Sequence, residues 1–346
     1  MKRSFAYLAV VSLLSAALHA ASVVVAAGDS IVHALPGSIR VSGPGSTSEP
    51  ALLEGLAYPG FGVVSAESGM AAIFDPIEDR AALVDSAGMI RFVELRDSPT
   101  AAAFLGTSLF VVSRDEGTLT RLRGDGEQIN VASSGRPGFL SIAGGAVFTY
   151  DPIRGLIERF DPDSLEPAGT LSIDRFASDF ETDGRFGYLA VPGTGEVISF
   201  SLASLDGKKS LQGGAVPVDV AIEHPSGPLS GATLAIADPS SRRIWRIEGQ
   251  QSAGAAFGRG FLRGLIGLGL YSPRSSALPA GVDRIESAAG GLLAFDSSSG
   301  TLYRITGRQS AQIATGLDSS GYAWDGERVF YSLGGILHSV PLRREH

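Results

Sequence analysis

Val147-Phe148-Thr149-Tyr150-Asp151-Pro152-Ile153-Arg154-Gly155-Leu156-Ile157-Glu158-Arg159-Phe160 is the stretch that decides the fold. An apolar strand runs into a turn opened by Asp and holding Gly, and a strand of alternating apolar and polar residues follows. That is the period-two signature of a β-hairpin. The unit recurs, giving seven hairpins in all. The others are Ala82-Leu83-Val84-Asp85 into Ile90-Arg91-Phe92-Val93, Leu109-Phe110-Val111-Val112-Ser113 into Leu119-Thr120-Arg121-Leu122, and Tyr188-Leu189-Ala190-Val191-Pro192 into Val197-Ile198-Ser199-Phe200. Leu234-Ala235-Ile236-Ala237-Asp238 leads into Ile244-Trp245-Arg246-Ile247, Leu292-Leu293-Ala294-Phe295-Asp296 into Leu302-Tyr303-Arg304-Ile305, and Val329-Phe330-Tyr331-Ser332 into Ile336-Leu337-His338-Ser339-Val340.

From Gly117 to Gly155 to Gly195 the repeat is about 40 residues long, the length of one four-stranded propeller blade. The expected fold is therefore all-β: a β-propeller of seven blades, with six or eight as the alternatives. Two intervals depart from the period. Gly88 to Gly117 is short, and Ser241 to Gly300 is long because it contains the Gly- and Ala-rich stretch Ala253 to Ser276, read as an insertion or a divergent blade edge. Ser22 to Arg40 is expected to supply a strand that closes the ring with the last blade.

Ahead of the repeats stand Lys2 and Arg3, the apolar run Phe5 to Leu18 and the small residues Ala20-Ala21, the order of a secretory signal peptide. The reading is a signal at 1–20 and a single propeller domain at 21–346, periplasmic or secreted, with no transmembrane span after cleavage and a monomer expected. The chain has no cysteine, which excludes disulfides, thiolate metal sites and lipid attachment at an N-terminal Cys. Stability must then come from a buried core, which 346 residues at 44% hydrophobic content can supply. The net charge of −8 argues against a nucleic-acid surface.

The hairpins resemble the NHL and YVTN type of bacterial propeller repeat, through Leu83-Val84-Asp85-Ser86, Ile236-Ala237-Asp238-Pro239 and Ala294-Phe295-Asp296-Ser297 with the strands after them. The resemblance covers most of residues 65–342 and implies the architecture. Such families hold binding scaffolds as well as enzymes, so it does not assign an activity.

Counting 13 residues back from the turn reaches Asp179 from Pro192 and Asp283 from Asp296; 14 back from Ser332 is Asp318, and Asp219 takes the matching place in the blade with the longer loop. Equivalent positions of innermost strands converge. Asp179, Asp219, Asp283 and Asp318 are thus either caps of their own turns or an acidic rim for a cation, with Ca²⁺ or another divalent ion the suitable class. No other cofactor is indicated. The turn residues Asp75, Asp85, Asp151, Asp238 and Asp296 are read as structural.

Catalytic sets are incomplete throughout. Gly28-Asp29-Ser30-Ile31 resembles the nucleophile block of GDS-type lipases and esterases, but the Asp-x-x-His that should supply the base is missing from the chain. A single asparagine, Asn130, departs from gluconolactonase-like metal sites, and two tryptophans, Trp245 and Trp324, from quinone-dependent propeller dehydrogenases. The expectation is an exported binding or scaffold module for a protein, glycan or small ligand. The alternative is a metal-dependent hydrolase or lyase with its site at the acidic rim.

Overall fold

The protein is described here by a computed structural model covering residues 22–27, 30–43, 53–65, 67–124, 126–224, 232–249, 274–277, 279, 281–288, 291–318 and 321–342. The leader 1–20 and most of the insertion, 250–273, lie outside them. The chain divides into two compact units, residues 1–99 with 317–342, and residues 100–316 with 343–346.

The first unit holds three antiparallel sheets. One is β1 (Val23–Ala27), β2 (Ser30–Leu35), β3 (Ser38–Ser42) and β4 (Leu53–Glu54); the next is β5 (Phe61–Val64), β6 (Ala71–Asp75), β7 (Arg80–Val84) and β8 (Ile90–Glu94). The C-terminal sheet belongs with them and has three strands, β29 (Tyr322–Trp324), β30 (Arg328–Leu333) and β31 (Ile336–Pro341). β1 packs against both β5 and β29, so the chain's N-terminal sheet lies between its second and its last.

The second unit holds five four-stranded sheets: β9 (Pro99–Leu105), β10 (Ser108–Ser113), β11 (Thr118–Leu122), β12 (Gln128–Ala132); β13 (Phe139–Ala143), β14 (Ala146–Asp151), β15 (Leu156–Phe160), β16 (Pro167–Ser172); and β17 (Asp179–Thr182), β18 (Phe186–Val191), β19 (Glu196–Ser201), β20 (Lys209–Gln212). The last two are β21 (Asp219–His224), β22 (Thr233–Asp238), β23 (Arg243–Glu248), β24 (Arg274–Ala277), and β25 (Arg284–Ala288), β26 (Gly291–Asp296), β27 (Thr301–Thr306), β28 (Gln309–Ala314). First strands of successive sheets pack together, β13 on β17, β17 on β21 and β21 on β25.

Every sheet runs straight up and down, and the fold is a β-propeller of eight blades. The expected seven is corrected for two reasons. Ser22 to Arg40 does not lend one strand to the last blade; it provides β1, β2 and most of β3 of a blade of its own. The hairpin Ala82 to Val93 joins the third and fourth strands of its blade, whereas the other six join the second and third. The matching second-to-third turn of that blade is Asp75 to Arg80, where the left-handed position that Gly117, Gly155 and Gly195 fill is taken by Asp79 at φ 54°. The short Gly88 to Gly117 interval comes from that change of register.

The second strand of each blade is apolar at consecutive positions because both faces of the sheet are covered. Val147 and Phe160 face the preceding blade, packing with Phe110, Val112 and Leu119. Phe148, Tyr150 and Ile157 face the next, packing with Phe180, Leu189 and Phe200. Successive side chains leave a strand on opposite sides, so one strand serves two cores. Burying an aromatic such as Phe148 contributes about 2–3 kcal/mol.

Polar ties cross the same interfaces. Asp75, Asp151, Asp238 and Asp296 end their second strands at no more than 5% exposure. Oδ1 of Asp151 accepts the turn amides of Ile153 (2.8 Å) and Arg154 (3.1 Å), while Oδ2 accepts Arg136 N (2.8 Å) from the connection leaving the previous blade. Asp75 holds Ile77 N, Glu78 N and Tyr58 N in the same way, and Asp238 holds Ser241 N and Ala215 N. The connection must pass so close that a Cβ on Gly135 would lie 2.4 Å from Asp151 Oδ2, and one on Gly214 2.6 Å from Asp238 Oδ2. Farther out, Arg121 and Arg159 of the third strands donate to carbonyls of the following blade, Pro162 O (2.8 Å) and Ala203 O (2.5 Å).

Removing a buried acceptor leaves two or three amides without partners, at about 1–3 kcal/mol for each group. Asp151→Ala is expected to cost about 2–4 kcal/mol in urea unfolding, whereas Asp85→Ala, whose bonds to Ala87 N and Met89 N lie in one exposed turn, shifts the midpoint little. Equal effects of the two would contradict the clasp.

Candidate functional site

Three consecutive first strands, β17, β21 and β25, carry Asp179, Glu181, Asp219, Arg284 and Glu286. Ser178 N, Val218 N and Asp283 N donate to Ala190 O, Ala237 O and Phe295 O, each bond within its own blade, which marks the same position in all three. Asp179, Asp219 and Arg284 are therefore equivalent, as are Glu181, Ala221 and Glu286 two residues on.

Asp179 Oδ2 accepts Val220 N of the next blade at 2.9 Å, and Asp219 Oδ2 accepts Ile285 N of the blade after that. The two carboxyl groups act on each other as well, each shifting the other's protonation. Burial, followed by the charge of Glu181, pushes Asp179 up to about 7. Glu181 keeps solvent-exposed surface, yet desolvation of its carboxyl, then Asp219 and Glu286, raises it to about 7. Asp219 lies well above the ordinary carboxylate range through burial and Asp179, with Arg284 pulling weakly the other way.

Of the four aspartates predicted from sequence, the structure brings together Asp179 and Asp219. Asp283 sits one residue before the equivalent position; it is exposed, and its Oδ1 accepts Ser297 N (3.2 Å) and Ser297 Oγ (2.9 Å) across its own blade's turn. The count from Pro192 began one residue beyond the end of β18, and a slip of one residue turns a side chain to the opposite face. Asp318 belongs to the first unit, where Oδ2 accepts Ser22 N (3.0 Å) and Ser22 Oγ (3.1 Å) and ties the last blade to the first. Sequence counting missed Glu181 and Glu286. Alternation along β17 and β25 was the signal, since each lies two residues from the position that faces its neighbour.

Among the described residues, no three His, Asp or Glu side chains stand in an arrangement that could hold a metal ion. The pair His33 Nε2 and Ser332 Oγ, 2.9 Å apart, joins β2 to β30 inside the first unit; both are buried, and burial lowers the histidine's pKa. Gly28 and Asp29 lie outside the described residues, and Ser30 opens β2. No helix among the described residues is long and apolar enough to cross a membrane.

No protein-family model matches the sequence, and no curated protein matches it. Solved structures do share the fold. Sqt1 of Saccharomyces cerevisiae aligns with a TM-score of 0.62 at 8% identity, covering 94% of this chain and 97% of that one. Virginiamycin B lyase of Staphylococcus aureus gives 0.60 at 12%, covering 80% and 91%, and BamB of Moraxella catarrhalis gives 0.59 at 13%, covering 91% and 94%. At these identities the likeness is one of fold alone.

A carboxyl whose folded pKa exceeds its unfolded value contributes stability below the unfolded pKa, near 4, that is lost as pH rises through the folded value, near 7 for Asp179 and Glu181. Asp219→Asn keeps an acceptor for Ile285 N and removes one charge. It is expected to raise stability at pH 8 by about 1–3 kcal/mol and to leave it nearly unchanged at pH 4.5. Loss of stability at pH 8 would contradict the repulsion between these buried carboxylates.

Proposed function

We propose that the chain is an exported β-propeller, preceded by a cleaved signal at 1–20, that acts in the periplasm or outside the cell as a binding or scaffold module for a protein, glycan or small ligand. The observation that carries this reading is where the large apolar side chains meet solvent. Each blade has one end bearing the turns between second and third strands together with the connections to the next blade. In the first unit Tyr58, Ile77, Leu333 and Ile336 are exposed at that end, and Val64 and Met89 at the other; in the second unit Ile153 and Phe176 are exposed at that end. Exposed apolar groups gathered on the loops of a rigid scaffold mark an interaction surface. The Asp that opens the same turns supports an NHL or YVTN kind of repeat.

A second reading, a metal-dependent hydrolase or lyase, is favoured by the pair Asp179 and Asp219, whose mutual repulsion a divalent cation would relieve. Calorimetric titration of the metal-free protein with Ca²⁺, Mg²⁺, Mn²⁺ and Zn²⁺ separates the two. The scaffold reading expects no binding tighter than about millimolar, the weak end of the range for extracellular Ca²⁺ modules. Micromolar binding abolished by Asp179→Asn with Asp219→Asn would overturn it in favour of the metal site.

A further inference from the structure

The second unit carries its exposed apolar side chains in one place. Ile153 is 74% exposed and Phe176 46%, and among the described residues they are this unit's only large apolar groups so exposed. Ile153 sits in the β14–β15 turn, and the connection bearing Phe176 lies over that turn. A Cβ on Gly155 would meet Arg175 N and O at 3.0 Å, Ile173 N donates to Gly155 O at 2.7 Å, and Tyr150 Oη donates to Arg175 O at 3.0 Å. On the other side, Arg154 reaches back to Ser134 O (2.5 Å), and Arg136 is held by its backbone on Asp151. Arg114, from the turn of the preceding blade, places its guanidinium against Gly138, 3.5 Å from where a Cβ would stand.

These elements form one continuous surface across three blades, and its charges are unevenly spent. Asp151 is buried and used by the turn amides and by Arg136 N, and Glu196 is occupied by Arg175, Thr194 and Ser210. Arg114, Arg136 and Arg154 form no ion pair among the described residues. Arg114 Nε is moreover buried without a hydrogen-bond partner, and no bond from its guanidinium is present among the described residues. The solvent-facing guanidinium groups of Arg136 and Arg154, beside Arg114, can take a carboxylate, the strongest acceptor for them. Asp115 and Glu116 stand exposed in the same turn as Arg114, so the patch is of mixed sign. That composition disfavours a uniform polyanion such as nucleic acid and suits a peptide segment alternating acidic with apolar side chains.

We propose that this surface, centred on Ile153 and Phe176 and flanked by Arg114, Arg136 and Arg154, is a docking site for an extended acidic-apolar peptide segment of a partner protein. The proposal rests on the binding-module reading and gives it a partner class. Apolar anchors in the middle supply contact area, the arginines take carboxylates in paired hydrogen bonds, and the loops are already fixed by the aspartate clasp and by Tyr150, so little order is lost on docking.

The test is selection of random twelve-residue peptides displayed on phage against the purified full chain, with winners synthesised and their affinities measured by fluorescence anisotropy. The expected winners are enriched in Asp and Glu together with large apolar residues, and lose at least about tenfold in affinity for Arg114→Ala/Arg136→Ala and for Ile153→Ser/Phe176→Ser. Unfolding midpoints unchanged from the parent confirm that these surface variants are folded. Winners without acidic residues, or winners that bind the variants as well as the parent, overturn the proposal while leaving the binding-module reading standing. Failure to select any peptide overturns the proposal, and the module reading then stands or falls on the cation titration.

Discussion

A carboxylate buried between two stretches of backbone is the constraint on which the rest of this structure depends. Apolar packing brings neighbouring blades together, but Val, Ala and Phe faces are interchangeable enough to slide. The turn aspartates remove that freedom. Each takes amides from its own turn with one oxygen and, in three of the four, an amide from the preceding blade's connection with the other. Ser240, Ala215 and Ser241 outweigh the burial of Asp238 and hold its carboxyl well below the usual range; Ser298 and Ser299 likewise lower that of Asp296. A depressed pKa makes this contribution present above about pH 4 and lost as pH falls through the folded value.

The inner strands use the same chemical group with the opposite sign. Asp179 and Asp219 also accept amides from the following blade, but they face each other and Glu181 in place of a surplus of donors. Their stabilising form holds a proton, and it is lost toward alkaline pH. The two sets together favour the mildly acidic range. The clasped turns also make the loop surface rigid, which ties the energetics of the fold to the binding role argued from Ile153 and Phe176.

Much of this architecture is legible in the residues. The run Val147 to Phe160 states its hairpin outright, because doubly buried strands must be apolar at consecutive positions and turns must supply left-handed backbone. What misleads is substitution at marker positions: Asp79 stands where Gly117, Gly155 and Gly195 stand in later blades, so one blade loses its landmark and its outer hairpin takes its place in the count. The first blade is obscured because its second-to-third turn, Pro36-Gly37 between β2 and β3, is not opened by Asp. In the site, Asp179 and Asp219 follow from the repeat, while Asp283 shows the limit of counting: one residue of offset carries a carboxyl from the inter-blade face to its own turn. Glu181 and Glu286 depend on which face of a short strand meets its neighbour, and that is set by packing across blades that a single hairpin does not encode.

The most direct measurement is a titration of the Asp and Glu side chains followed by carboxyl carbon NMR. The account predicts two separated populations: Asp238 and Asp296 still ionised below the ordinary carboxylate range, and Asp179 and Glu181 taking up protons near 7. A single population titrating near pH 4, with the inner-strand groups indistinguishable from surface carboxylates, would contradict it.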